Sequence, residues 1–324
     1  MTSPADSIDS ALALLQRGDR AGGVAAMTRA AQAGDTDAMA EVAVWRLGGS
    51  TLPRDLPEAR RLLALAAAAG HAGAATMLVA LTANGAGAPP DWPGAVALLE
   101  ESAARDSVGA RQLALIRRRA LAADGSPAEL PTPEPLSEVP WVVRYPGLLN
   151  EGECAEIAAS VSDILEPARV VDPRSGRLID HPIRTSDGAV VGPTRENLVV
   201  RMVNLRLAAV TGTDVAQGEA LAVLRYAPGQ QYRAHLDALP GEVNQRILTA
   251  LVYLNGGYAG GETRFLSNGL TVRGRGGDVI VFRNTDATGG ADKSALHAGL
   301  PVTQGVKWLA TRWIRARPID PWMR

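Results

Sequence analysis

Leu221-Ala-Val-Leu-Arg-Tyr-Ala-Pro-Gly-Gln-Gln-Tyr-Arg-Ala-His-Leu-Asp237 alternates apolar and polar residues on either side of a Pro-Gly turn. That pattern reads as two adjoining strands. Residues i and i+2 of a strand point to one face, so His235 and Asp237 can reach a common point with Leu236 turned away. His297 answers them about sixty residues later. Further on, Val306-Lys-Trp-Leu-Ala-Thr-Arg-Trp-Ile-Arg315 is apolar at alternate positions and rich in β-branched and aromatic residues, the mark of a buried strand. Lys307 lies inside that strand, where an ammonium is costly unless an anion meets it.

Two imidazoles and one carboxylate on one side of a metal, with other positions open, suit a non-haem Fe(II) centre. Catalytic zinc takes a similar set. Lys307 separates the two readings, because a buried cation ten residues after the last ligand suits an iron oxygenase whose co-substrate carries a distal carboxylate. A zinc hydrolase has no use for it.

From about Pro140 to Arg317 the chain resembles the 2-oxoglutarate- and Fe(II)-dependent prolyl 4-hydroxylase family. The resemblance rests on Arg225-Tyr-Ala-Pro-Gly-Gln-Gln-Tyr-Arg-Ala-His-Leu-Asp237, Arg246-Ile-Leu-Thr-Ala-Leu-Val-Tyr-Leu-Asn255 and Gly260-Gly-Glu-Thr-Arg-Phe265, followed by Gly277-Asp-Val-Ile-Val-Phe282, Leu296-His-Ala-Gly-Leu-Pro-Val302 and Gly305-Val-Lys-Trp308. It implies a double-stranded β-helix, or jelly roll, with supporting helices. It also implies Fe(II), 2-oxoglutarate and dioxygen, with ascorbate as reductant. Carried over by position, His235, Asp237 and His297 are the metal ligands and Lys307 anchors the distal carboxylate. Tyr226, Tyr253 and Thr311 are placed to help hold the co-substrate; the plain alternative for these three is core packing with a satisfied hydroxyl. Tyr232, Arg246 and Trp313 correspond to residues shaping the proline pocket. Arg315 stands where the family often has histidine, and the loop from Ala238 to Gln245 is short. Both departures bear on the substrate more than on the iron chemistry.

Residues 1–120 repeat. Pro53-Arg-Asp-Leu-Pro-Glu-Ala-Arg-Arg-Leu-Leu63 aligns with Pro89-Pro-Asp-Trp-Pro-Gly-Ala-Val-Ala-Leu-Leu99 at a step of 36, which also links Asp19, Asp55 and Asp91. An Asp before each helix with Pro57 or Pro93 in the first turn is good N-terminal chemistry. The pattern resembles Sel1-like repeats, relatives of tetratricopeptide repeats, and predicts an α-solenoid of helix-turn-helix units. Such a surface suits docking of a protein or peptide substrate, or serves only as a stabilising appendage. His71, at a repeat boundary, reads as a turn residue.

Residues 121–139, with proline every few positions, read as an extended linker, leaving 140–324 as the oxygenase domain. Asn150 and Glu153 form a capping-box pattern, and a second helix is predicted from Thr194 to Thr211. The polar stretch 169–191 matches the family's substrate flap, with a surface hairpin as the plain alternative, and His181 within it is not expected to bind metal. A single cysteine, Cys154, excludes an intramolecular disulfide and fits a reducing interior. No apolar run approaches the roughly 18 residues of a membrane span, and no leader is visible, so a cytoplasmic enzyme is expected. The excess of Arg and Lys after Leu221 is read as a solvated barrel exterior rather than a nucleic-acid surface. The activity expected is hydroxylation of proline in a protein or peptide, with succinate and CO2 as co-products. The rivals are hydroxylation of another residue or a small molecule, and a repeat-based adaptor with an inactive oxygenase fold.

Overall fold

The computed structural model describes residues 8–104, 106–171, 178–180 and 183–322. They fall into two compact units. The first holds the described residues up to Arg118 together with Pro193–Arg201 and Trp322; the second holds Arg119–Gly192 and Met202–Pro321.

Seven α-helices make up most of the first unit: α1 (Ile8–Gln16), α2 (Arg20–Gln32), α3 (Thr36–Gly48), α4 (Leu56–Ala68), α5 (Ala72–Asn84), α6 (Trp92–Ala103) and α7 (Ser107–Arg117). Consecutive helices pack on one another. Asp19, Asp55 and Asp91 accept from the backbone N–H groups of Gly22, Glu58 and Gly94, each satisfying a donor that the first turn leaves open. Asp35, His71 and Asp106 cap the alternate helices. His71 is thus a capping residue, with Nδ1 accepting from Ala74 N–H. Small side chains such as Ala30, Ala38, Ala59 and Ala74 form much of the core, and backbones approach closely there.

The second unit contains β1 (Glu134–Ser137), β2 (Val142–Tyr145), α8 (Glu151–Ala159), β3 (Glu166–Pro167), β4 (Arg169–Val171), β5 (Leu178–Asp180) and β6 (Asp187–Val191). After α9 (Leu198–Thr211), which runs into it from Pro193–Arg201, come β7 (Leu221–Tyr226), β8 (Tyr232–His235), β9 (Arg246–Tyr253), β10 (Ala259–Gly260), β11 (Thr263–Phe265) and β12 (Thr271–Val272). β13 (Val279–Arg283), β14 (His297–Gly299), β15 (Val302–Gln304) and β16 (Lys307–Arg315) complete it. Eight strands form an antiparallel sheet in the order β1-β2-β13-β9-β16-β7-β6-β3, and four form a second in the order β12-β11-β14-β8. Val142, Leu251, Ile280, Phe282 and Leu309 of the large sheet share one apolar core with Phe265 and Val272 of the small one. Two antiparallel sheets with a common core are consistent with a jelly roll.

Two sequence expectations shift. The stretch 121–139 belongs to the second unit instead of standing apart as a linker. It folds back at 122–126, with Leu121 bridged to Pro127, and Glu134–Ser137 pairs with β2 at the edge of the large sheet, where a missing N–H is tolerated. Helix α9 starts at Leu198 rather than Thr194, because the Asn197 side chain accepts from Val200 N–H and sets the first turn there. The capping box at α8 forms as read, with Asn150 and Glu153 exchanging side-chain-to-backbone bonds. Residues 172–177 and 181–182, including His181 and much of the expected flap, lie outside the described residues. Among the described residues no helix is long and apolar enough to cross a membrane.

Candidate active site

Strands β8 and β14 pair so that His235 and His297 are direct cross-strand neighbours. Their rings lie 4.3 Å apart between centroids. Each Nδ1 donates to a backbone carbonyl, His235 to Arg233 at 2.8 Å and His297 to Ala295 at 3.0 Å. With Nδ1 so occupied, Nε2 is the free lone pair on each ring. Asp237, beyond the end of β8, brings one carboxylate oxygen to 3.6 Å from His235 Nε2 and the other to 3.9 Å from His297 Nε2. One donor atom from each of the three residues falls within 4.8 Å of the others, a spacing that a single ion can bridge. Neutral imidazoles and an ionised carboxylate are what a metal requires. Burial, followed by the neighbouring His297, pushes His235 down to about 4. Burial alone would raise Asp237, but His297, His235 and the Thr249 hydroxyl outweigh it and hold the carboxyl below its ordinary range.

The same cavity contains Lys307. Alternate residues of β16 face inward, so Lys307, Leu309, Thr311 and Trp313 line the cavity that His235, Asp237 and His297 also line. The ammonium is 2% exposed, and Nζ donates to the Gly261 carbonyl at 2.6 Å. Among the described residues no carboxylate pairs with it. Burial takes Lys307 down to about 8, with Glu262 pulling the other way. Gly261 sits at φ +70°, and a Cβ there would meet Val302 and Lys307 side-chain atoms at about 3 Å, so glycine lets this carbonyl approach the ammonium.

The remaining sequence candidates divide. Tyr226 is the cross-strand partner of Lys307 and lines the cavity, as does Thr311. Tyr253 packs its ring 5.4 Å from the Lys307 nitrogen and hydrogen-bonds through its hydroxyl to Oγ1 of Thr263, which lines the cavity, at 2.9 Å. Tyr232 stacks on the His235 ring at 3.5 Å, and Trp313 lines the cavity. Arg246 and Arg315 are not on its wall. Arg246 lies 4.0 Å over the outer face of the Trp313 ring and makes a two-pronged pair with Glu219. Arg315 binds the same Glu219 and also donates to the Asn244 carbonyl. Glu219, which sequence reasoning missed, therefore organises both arginines and ties them to the loop before β9. Thr249 and Thr263 were missed as well; Thr249 sits among apolar strand residues and Thr263 between Glu262 and Arg264, and neither position gives a local signal of its partner.

A family model described as the 2OG-Fe(II) oxygenase superfamily matches residues 221–315. The Arabidopsis thaliana protein named "Probable prolyl 4-hydroxylase 6" is 33% identical over 212 residues, covering 57% of this chain and 73% of its own. The chain belongs to the prolyl 4-hydroxylase family. Its matched domain is that of a 2-oxoglutarate-dependent dioxygenase. A second Arabidopsis protein, "Probable prolyl 4-hydroxylase 7", is 32% identical over 208 residues, with 57% of this chain and 66% of its own covered. Among solved structures, the viral collagen prolyl hydroxylase of Paramecium Bursaria Chlorella virus-1 in its 2OG complex is 28% identical. That match covers 54% of this chain and 96% of the viral one, with a TM-score of 0.43.

The residues present fit both groups that the family employs. Two carbonyl-pinned histidines and a carboxylate offer a mixed nitrogen–oxygen set, and the ammonium in the same cavity meets the Gly261 carbonyl and two aromatic rings, with no carboxylate paired to it among the described residues.

Proposed function

We propose that this enzyme hydroxylates proline in a protein or peptide substrate, forming succinate and CO2 from 2-oxoglutarate. The observation that carries the reading is the convergence of His235, Asp237 and His297 in one cavity with the buried ammonium of Lys307. In this reading His235, Asp237 and His297 hold Fe(II), which with 2-oxoglutarate and dioxygen supplies the oxidising power for an unactivated C–H bond. Lys307 receives the distal carboxylate and exchanges its bond to the Gly261 carbonyl for a charge-assisted one. Tyr226 and Thr311 flank that carboxylate, and the Tyr253 ring packs beneath it with its hydroxyl held by Thr263. Leu251 and Leu309 keep water from the space between the two ends. Tyr232 and Trp313 shape the substrate side, while Arg246 and Arg315 act through Glu219 to brace the mouth.

The helices of residues 1–120 extend the proposal. Starts at Arg20, Leu56 and Trp92, each capped by an Asp, support Sel1-like repeats stacked as a solenoid that docks the protein substrate. The domain reading is accordingly a helical platform followed by an oxygenase domain, in the reducing interior of the cell. Commitment of both Arg246 and Arg315 to Glu219 favours one second reading, a target residue other than proline.

Incubation with Fe(II), 2-oxoglutarate, ascorbate and proline-rich peptides, followed by mass spectrometry, separates these readings. One added oxygen on proline is the expected result. Succinate release without peptide modification moves the activity to another residue or a small molecule. No succinate release under any condition leaves only the adaptor.

A further inference from the structure

Behind Asp237 runs a short chain of buried polar groups that are not themselves on the cavity lining. Thr249 Oγ1 donates to Asp237 Oδ2 at 2.7 Å, and Asn284 Nδ2 donates to Thr249 Oγ1 at 2.8 Å. Asp237, Thr249 and Asn284 are 5%, 0% and 1% exposed. A carboxylate only accepts, so the single hydroxyl proton of Thr249 must go to Asp237. The Thr249 oxygen is then an acceptor, which only the amide nitrogen of Asn284 can serve. Every rotor along the chain has one permitted setting. The backbone holds the far end still: Asn284 N–H donates to the Ile247 carbonyl, and the Asn284 carbonyl accepts from Asp292 N–H, both at 2.9 Å.

We propose that Thr249 and Asn284 are positioning residues for the metal-binding carboxylate. Oδ2 lies 3.9 Å from His297 Nε2 and Oδ1 3.6 Å from His235 Nε2; by engaging Oδ2, Thr249 and Asn284 favour Oδ1 as a single-oxygen ligand. One coordination position that a two-oxygen grip would take is thereby left open to the co-substrates. Thr249 is placed for this by its strand: it pairs with Trp313 of β16 on one side and Phe282 of β13 on the other, so its side chain shares the inward face with Leu251. The inference rests on the assignment of Asp237 as a ligand.

The test is titration of the metal-free, full-length protein with Co(II), read by calorimetry and by the visible absorption of the bound ion. Thr249→Val keeps the shape and removes the hydroxyl; it should weaken Co(II) binding roughly 10- to 100-fold. Thr249→Ser should restore it. Asn284→Asp offers only acceptors at neutral pH, draws the hydroxyl proton away from Asp237, and should match Thr249→Val. Asn284→Leu leaves Thr249 free to keep its bond and should lose less, an order that a packing role alone does not produce. Thermal melts accompany each variant, so that loss of folding is not read as loss of affinity. Parent-like binding by Thr249→Val, or a greater loss in Asn284→Leu than in Asn284→Asp, overturns the positioning role while leaving the ligand set standing. Parent-like binding by Asp237→Ala removes the ligand set itself, and the inference with it.

Discussion

Glu153, held between α8 and α9, and Lys307, inside the barrel, are both hidden from solvent, yet their surroundings differ in kind. Glu153 is fully buried and meets two guanidiniums: Arg206 at 2.6 Å, itself only 3% exposed, and Arg119. Arg206 also donates to the Leu148 carbonyl, so almost every charge in that cluster is answered from within the fold. Lys307 meets a backbone carbonyl and aromatic faces, and no carboxylate of the described residues pairs with it. A protein tolerates a buried ion pair when its geometry is closed, whereas an open one marks a place where a ligand completes the structure. The first arrangement is architecture. The second is a binding site.

The largest expected effect comes from opening the closed cluster. Glu153→Ala leaves Arg206 charged and unanswered and should cost about 3–5 kcal/mol of unfolding free energy, with the KM for 2-oxoglutarate unchanged. Chemical denaturation checks it, and a loss below 1 kcal/mol would erase the contrast with Lys307. The pH dependence has a definite sign. Burial raises the Glu153 carboxyl, but Arg119 and Arg206 outweigh it and hold it below 4.5. Its contribution is therefore complete above that value and is lost as pH falls through the depressed one.

Lys307→Ala should do the reverse. KM for 2-oxoglutarate should rise about 100-fold, close to 3 kcal/mol, while unfolding free energy stays level or increases because an unanswered ammonium has gone. Steady-state succinate release measures the first and denaturation the second; an unchanged KM would mean that another cation anchors the diacid.

A milder change sharpens the same point. With Lys307 lowered from 10.5 to about 8, the ammonium is present below pH 8 and lost as pH rises through it. KM for 2-oxoglutarate should therefore climb above pH 8, by up to about tenfold per unit, while Lys307→Arg should flatten the profile. In the ligand-free protein, the same shift makes folding more favourable as pH rises from about 8 toward 10.5. The smallest effect belongs to the helical unit: Asp55→Ala removes the cap bond to Glu58 N–H and should cost about 1 kcal/mol, with no change in peptide-free 2-oxoglutarate turnover.

How far the molecule was legible follows from where each interaction's partners lie in the chain. The caps at Asp19, Asp55 and Asp91 bond three residues ahead, so composition and a step of 36 revealed them. Strand periodicity put His235 and Asp237 on one face, but β8 ends at His235 and Asp237 lies in the bend beyond it, where it still meets both imidazoles. Arg246 and Arg315 looked like substrate contacts because their decisive partner, Glu219, lies 27 and 96 residues away. The Tyr253 spacing says nothing of Thr263 beside its hydroxyl, so that bond was not legible in the sequence. The proline-rich stretch before Pro140 was read as extended, but it turns back at 122–126 before its edge strand, and proline content alone does not tell a linker from an edge strand.

By itself the sequence determined the helical and strand-rich regions, the strand that ends at His235, and the presence of a lysine that must bury its charge, because each follows from local periodicity or side-chain chemistry. Only the tertiary structure decided that His297 stands opposite His235, that Gly261 lends its carbonyl to Lys307, and that Thr249 and Asn284 stand behind Asp237. Those are pairings between strands far apart in the chain, and strand register, which no short segment encodes, sets every one of them.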